Sequence, residues 1–260
     1  MAPDAFLDLI RIVLGLAYGL VLGSFATVLV ARVPSRESIG GRSRCPSCAA
    51  KIRAIDNVPL LSWMALRGRC RTCKRAISWR YPAMEATAGL LGLYIAIQPW
   101  SFLVFLAWLA ALPALLALTV IDFDTKRLPD PLTLPVAALA LAMLSVDDLL
   151  GSAHAVAGAF IGAVSLSAFY LLLNLISGGG MGMGDVKLAL VIGALTGYLG
   201  WEYVVGATFL AFLTGSLVSV VLMMLGRAGR KSTVPFGPFM ILGLYAVLPI
   251  ASTFVRLYSF

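Results

Sequence analysis

Gly178-Gly179-Gly180-Met181-Gly182-Met183-Gly184-Asp185 follows one long apolar stretch and precedes another. Five of the seven residues before the aspartate are glycine, the residue that gives up most backbone entropy on ordering, so helix is opposed here. The chain is expected to break at this point, at or near membrane depth. Irregular backbone at such depth is tolerated only where protein or a wet cavity satisfies its polar groups. An aspartate there costs about 2.5 to 3.5 kcal/mol at a helix centre and less near an interface. A carboxylate kept against that cost marks a functional site, and Asp185 needs a partner.

Outward from this stretch, 60% of the 260 residues are hydrophobic and only 12% are charged, with a mean hydropathy of +0.95. Soluble domains carry about 25% charged residues. The expected fold class is an all-α polytopic membrane protein. Eight spans are read from the apolar runs, at 6–31, 83–98, 101–121, 131–146, 152–176, 185–200, 203–226 and 238–257, each close to the ~20 residues a membrane helix needs. No cleavable signal peptide is expected, since 6–31 is one continuous span. Three regions follow: a first transmembrane helix at 1–33, a loop domain at 34–82, and a membrane-embedded core at 83–260.

The charges set the sidedness. Residues 35–82 hold eleven Lys and Arg, and alternate connections continue with Lys126 and Arg127, Lys187, then Arg227, Arg230 and Lys231. The opposite connections hold Asp147, Asp148 and Glu202 with no Lys or Arg. Positive charge stays cytosolic, so the large loop is expected in the cytosol. The net charge of +8 is thereby accounted for by topology, and membrane lipid rather than nucleic acid is the expected partner. Arg11 and Arg256 lie near span ends, where a long side chain snorkels to the interface. His154, the one histidine, reads as an outer-face surface residue.

The loop carries Cys45-Pro46-Ser47-Cys48 and Cys70-Arg71-Thr72-Cys73, with twenty-one residues between the pairs. Two such knuckles supply four thiolates for one structural zinc, a zinc-ribbon-like insertion after the first helix. Disulfides or free thiols are the rival reading. The cytosol disfavours disulfides, and neighbouring Arg44, Arg69, Arg71 and Lys74 favour thiolates. A closed four-sulfur site leaves no open position for chemistry.

Partners for Asp185 must lie at the same membrane face. Asp122, Asp124 and Asp130 qualify, in Ile121-Asp122-Phe123-Asp124-Thr125-Lys126-Arg127-Leu128-Pro129-Asp130. Asp122 is the deepest, directly after an apolar run. Asp124 lies nearer Lys126 and Arg127 and reads as an interface charge. Asp130, beside Pro129, reads as a turn or N-cap residue. Two carboxylates sharing a site do not both ionise easily. One can then activate water while the other protonates a peptide carbonyl, the aspartic-protease arrangement. An ion-coupled transporter with intramembrane carboxylates is the alternative, and a simple helix cap is the structural one.

These residues have a family look. Gly182-Met183-Gly184-Asp185-Val186-Lys187 matches the GxGD signature of intramembrane aspartic proteases, and Asp122 followed by Pro129 resembles the first catalytic motif of the type IV prepilin peptidase family. Gly23-Ser24-Phe25, Asn57-Val58-Pro59-Leu60-Leu61-Ser62-Trp63, Ile77-Ser78-Trp79-Arg80-Tyr81-Pro82 and Pro235-Phe236-Gly237-Pro238-Phe239 extend the resemblance over nearly the whole chain. Ala26-Thr27 departs from it, where the family usually has Leu-Asn. The resemblance implies a bacterial inner-membrane enzyme that cuts the basic leader from prepilins or pseudopilins at the cytosolic face. It then methylates the new N-terminus with S-adenosylmethionine. Asp122 and Asp185 carry over as the catalytic pair, and Cys45, Cys48, Cys70 and Cys73 as zinc ligands.

The methyl-transfer site is read less directly. The Gly-x-Gly spacings follow a span and not a strand, so a nucleotide-loop reading fails its context. The loop 35–82 is the natural surface for the methyl donor, and Gly68 and Glu85 flank its second half as candidate cofactor-binding residues. A turn role for Gly68 and a capping role for Glu85 stand beside that reading. Pro235 to Pro238 is read either as a holder of extended substrate or as a helix start.

Overall fold

The computed structural model describes residues 3–151, 155–178, 180–227, 229 and 234–258, with side chains described between residues 8 and 251. His154, Gly179, Arg230 and Lys231, and the side chain of Arg256, lie outside the described residues. The helices are α1 (Pro3–Arg32), α2 (Leu61–Ala65), α3 (Arg80–Ala96), α4 (Phe102–Thr125), α5 (Asp130–Leu149), α6 (Val156–Ile176), α7 (Met183–Leu199), α8 (Trp201–Met224) and α9 (Gly237–Tyr258). The described residues form no strand, only two isolated β-bridges. Apart from the five-residue α2, each helix falls on one of the expected spans. Helices α1, α4, α5, α6 and α8 are long and apolar enough to cross a membrane. Helices α3 and α7 have 17 residues each, the low end of the spanning range of about 17 to 25.

The chain clusters into two compact units, Met1–Ala117 and Leu118–Phe260. In the first, α1 and α3 meet backbone to backbone along Gly15, Gly19 and Gly23. A Cβ added at Gly15 would stand 2.5 Å from the Gly92 carbonyl oxygen, and one at Gly19 2.5 Å from that of Ala88. Lipid tails are as apolar as leucine, so membrane helices associate through such close packing and not through hydrophobic burial. Gly23 meets the Cα of Glu85 in the same way, at 2.7 Å, and so brings that acid against α1. Arg11 does not snorkel freely. Its Nη2 donates to the Gln98 carbonyl at 3.1 Å, and its guanidinium lies 5.6 Å from the Phe105 ring centroid, a cation–π position that takes the charge into protein.

In the second unit α7 is the central helix. It packs against α5, α6, α8 and α9, and nearly every residue from Asp185 to Tyr198 is buried, as a helix apolar on all sides should be. Gly193 and Gly197 lie on Gly158 and Gly162 of α6, with an added Cβ at Gly193 only 2.2 Å from the Gly162 carbonyl oxygen. Gly243 of α9 approaches Ala207 of α8 as closely, at 2.3 Å. Asp147, expected in a solvated connection, instead ends α5 at 2% exposure. It accepts a hydrogen bond from the Tyr198 hydroxyl at 2.5 Å, a partner that makes burial of the carboxylate tolerable. Asp148 accepts from the Val156 amide at 3.1 Å and ties the end of α5 to the start of α6.

The glycine seam of the first unit is testable. Gly92→Val places a branched side chain where a Cβ alone would sit 2.2 Å from the Gly15 carbonyl oxygen. It should lower stability by at least the ~1 to 3 kcal/mol of ordinary overpacking, read as a lower Tm in detergent. Gly40→Ala, whose methyl would meet nothing nearer than 3.7 Å, should leave the Tm unchanged.

Candidate active site and metal centre

Helix α4 runs past the apolar stretch and ends at Thr125, so Asp122 sits inside its last turn rather than in a loop. Lys126 closes the helix in the left-handed region (φ 53), its amide donating to the Asp122 carbonyl at 2.8 Å. The last turn divides its residues: Asp122 is 5% exposed, whereas Phe123 and Asp124 face outward. The chain then returns through Leu128, which is buried.

Asp185 comes from the other side of the glycine run. The irregular backbone covers described residues between 177 and 182, and α7 starts at Met183 with Gly182 as its N-cap. Asp185 is therefore in the first turn, at the positive pole of the helix, which favours a carboxylate. It is 7% exposed. Gly184 belongs to the helix and not to the break. What it supplies is absence of volume, since a Cβ there would stand 2.7 Å from Leu128 Cβ. Asn174 Nδ2 donates to the Met181 carbonyl and anchors the irregular segment to the end of α6.

Asp122 and Asp185 are close enough to interact electrostatically. A third element completes the arrangement: the backbone amide of Gly237, first residue of α9, donates to Asp122 Oδ2 at 3.0 Å in a buried position. The first N–H groups of a helix have no partner within it, and Pro238 offers none. Gly237 is thus the free donor at this helix start. A Cβ on it would stand 2.8 Å from Asp122 Oδ2 and 3.3 Å from Leu128 Cδ1. Leu128 accordingly touches the backbone beside both acids. Phe236, just before this amide, lies 5.0 Å from Phe212 and 6.1 Å from Tyr170 between ring centroids. Tyr170 itself is 1% exposed and within electrostatic reach of Asp185.

Of the three candidate partners for Asp185, only Asp122 is buried with it. Asp124 is exposed. Asp130 starts α5 but makes no capping bond; both its oxygens take Lys187 Nζ, at 2.6 and 2.7 Å. Lys187, expected in a connection, lies in α7. Leu128 and Tyr170 were not singled out by the sequence. Pro235 to Pro238, read either as a holder of extended substrate or as a helix start, starts α9 at Gly237, whose amide reaches Asp122.

The cysteines form a separate centre in the first unit. One ligand atom from each of Cys45, Cys48, Cys70 and Cys73 lies within 4.8 Å of the others, and none forms a disulfide. The Cys45 and Cys73 sulfurs are 3.9 Å apart, near the ~3.8 Å edge of a tetrahedron with metal–sulfur bonds of about 2.3 Å. The knuckles repeat one geometry. Cys45 N donates to Ala50 O and Cys70 N to Arg75 O, both at 2.9 Å, with Ala49 (φ 55) and Lys74 (φ 59) at the same turn position. Amides of Cys73 and Thr72 aimed at its sulfur bring the Cys70 thiol down to about 6, which favours the thiolate a metal needs. Arg71 pairs with Asp56 at 2.6 Å, a hydrogen bond that holds the Asp56 carboxyl below its ordinary range and ties the second knuckle to the turn Ala54–Asn57.

Between these knuckles and helices α1 and α3 lies a cavity of about 440 Å³. Glu85 is on its wall, 9% exposed, with Oε2 accepting from the Leu60 amide at 2.7 Å. Gly68 is not on the wall. It turns the chain at φ 65, and a Cβ there would meet Trp63 Cζ2 at 2.9 Å; Trp63 does line the cavity.

Comparison with known proteins adds to this geometry. Residues 17–99 match the Bacterial Peptidase A24 N-terminal domain, and residues 109–220 match the type IV leader peptidase family. A Stutzerimonas stutzeri protein named prepilin leader peptidase/N-methyltransferase is 34% identical, over 95% of this chain and 94% of its own length. Proteins of the same name from Pseudomonas putida and Aeromonas hydrophila are each 36% identical, over 95% and 84% of this chain and 92% and 74% of theirs. The carrier alternative finds no support among them. No solved structure matches.

The metal centre makes its own prediction. Added Co²⁺ should bind the purified chain with the absorption of a tetrahedral tetrathiolate site, and Cys45→Ser should lose that band. An unchanged spectrum in the variant would remove Cys45 from the ligand set.

Proposed function

We infer what this chain does from one premise: it belongs to the type IV leader peptidase family. It cleaves the basic leader from prepilins or pseudopilins at the cytosolic face of the bacterial inner membrane, and it transfers a methyl group from S-adenosylmethionine to the amine so freed. Asp122 and Asp185 are the reacting pair, and the meeting of these two buried carboxylates carries the reading.

The pair acts as one unit holding one proton. The ionised member takes a proton from water, whose oxygen attacks the scissile carbonyl carbon, while the protonated member gives its proton to the carbonyl oxygen. Collapse of the tetrahedral intermediate breaks the C–N bond, and the proton taken from water passes to the departing amine. The Gly237 amide occupies Oδ2 of Asp122 and so orients the carboxylate with Oδ1 left for water or substrate. A helical substrate hides its carbonyls in its own hydrogen bonds, so the prepilin must be extended at the cut. The irregular 177–182 segment beside Asp185 provides non-helical backbone next to it.

The metal is zinc, held by Cys45, Cys48, Cys70 and Cys73. Its role is to join two knuckles in a domain, 34–82, too small for a dependable core of its own; the helices of 83–260 carry the peptidase. The Lys and Arg pattern supports a cytosolic position for residues 34–82. S-adenosylmethionine, when bound, supplies an electrophilic methyl group on a sulfonium, and the chain must present the amine unprotonated.

Asp122→Asn and Asp185→Asn should each fold and keep the metal while losing prepilin cleavage by about 10²- to 10⁴-fold or more, measured by mass of the shortened product. Full cleavage by either variant would take that residue out of the reaction. Gly237→Ala, with a methyl 2.8 Å from Asp122 Oδ2, should keep KM and lower kcat by about 10²-fold, the cost of misplacing a reacting group by about 1 Å.

A further inference from the structure

The cavity of the first unit has features that the peptidase does not use. Its volume of about 440 Å³ falls in the ~300 to 1,000 Å³ range of small-molecule sites. Ser24 and Thr27 of α1 form one side, Glu85 of α3 another, and Trp63 and Tyr81 add aromatic faces. Glu85 is more than nine-tenths buried, and its one described hydrogen bond occupies Oε2. A buried carboxylate requires a counter-charge as well as hydrogen bonds. Two cations of this wall are committed elsewhere. Arg71 is paired with Asp56, and Arg32 Nη1 donates to the carbonyls of Ser38, Ile39 and Gly40 at 2.6 to 3.0 Å.

The Glu85 contact is itself unusual. It holds the amide of Leu60, which sits at φ 59 and ψ −51, a conformation a leucine rarely adopts and one that clusters at functional sites. Ser62 fixes the same loop, its Oγ accepting from Val58 N and donating to Ile55 O, both at 2.9 Å. The wall is thus set before any ligand arrives, which reduces the ordering cost of binding.

We propose that this cavity is the binding site for the adenosyl sulfonium methyl donor, with Glu85 the carboxylate that selects its positive sulfur centre. The proposal rests on the methyl-transfer activity proposed above. A sulfonium is a soft, weakly hydrated cation, suited to one open carboxylate oxygen and to the faces of Trp63 and Tyr81. Exposed Arg53 and Lys51 on the same wall suit the donor's own carboxylate. Cys45 and Cys70 also line the cavity, so the metal that joins the knuckles also shapes this site. Gly68 acts at one remove, by leaving room for the Trp63 ring.

The test uses the full chain in detergent without prepilin, titrated calorimetrically with S-adenosylmethionine and with S-adenosylhomocysteine, the neutral thioether of the same shape. Glu85→Gln retains an oxygen to accept from Leu60 and nearly the same volume, but not the charge. It should weaken S-adenosylmethionine by about tenfold or more and the thioether by less than about threefold. Thr27→Trp, filling the cavity from α1, should abolish binding of both. Equal losses in Glu85→Gln, or unchanged binding in both variants, would overturn the proposal and, if labelled methyl still reaches a cleaved pilin, would leave the methyl-transfer activity standing. Wild-type protein that binds neither compound and transfers no methyl would sink both.

Discussion

A single buried hydrogen bond joins chemistry to fold: the Gly237 amide to Asp122 Oδ2, at 3.0 Å. It is the meeting point of three helix ends. The last turn of α4 presents Asp122, the first turn of α7 presents Asp185, and the first residue of α9 supplies the donor. Each end contributes a group that the helix cannot satisfy internally, and in a membrane such groups have few partners. A carboxylate at the start of α7 meets the favourable pole of that helix. A carboxylate at the end of α4 does not, so Asp122 depends on the amide that α9 brings. Leu128, wedged against the glycines at 184 and 237, makes the junction one packed object.

Glycine at these positions acts chiefly by its size. At 15, 19 and 92 it lets α1 and α3 touch, and at 158, 162, 193 and 197 it does the same for α6 and α7. The second seam bears on the site, because α7 is the central helix and carries Asp185 at its start. Close contact along its length fixes its axial position, and with it the depth of the acid. Hydropathy leaves such stripes unmarked because glycine scores near neutral, although their spacing of four residues is present in the chain.

The features that follow from one residue's own environment were legible in the sequence. Span positions, the four-cysteine set and the depth of Asp122 relative to the exposed Asp124 and Asp130 all rest on local hydrophobicity, spacing or depth. Features that need a distant partner were not. Asp147 looks like a solvated loop acid until Tyr198, fifty-one residues away, is seen to donate to it. Asp130 looks like a cap until Lys187 takes both its oxygens. The Gly237 amide has no side chain to read, and only the two prolines around it mark that the backbone there starts a helix. Gly68 and Glu85 were chosen together as cofactor residues. Only Glu85 reaches the cavity wall, because Gly68 is required as a turn beneath Trp63.

Two kinds of carboxylate environment therefore coexist in one chain, and the difference between them follows from their partners. Asp122 and Asp185 are close enough to interact electrostatically, and two carboxylates so placed do not both ionise easily, which suits the proposed hydrolysis. Glu85 lines a cavity of the first unit instead. Its Oε2 accepts from the Leu60 amide, and Trp63 and Tyr81 line the same cavity. In the proposed methyl-donor site Glu85 acts as a fixed charge, beside aromatic faces of the kind that attract onium centres. The first arrangement favours a polarised carbonyl and a bound water, the second a cation.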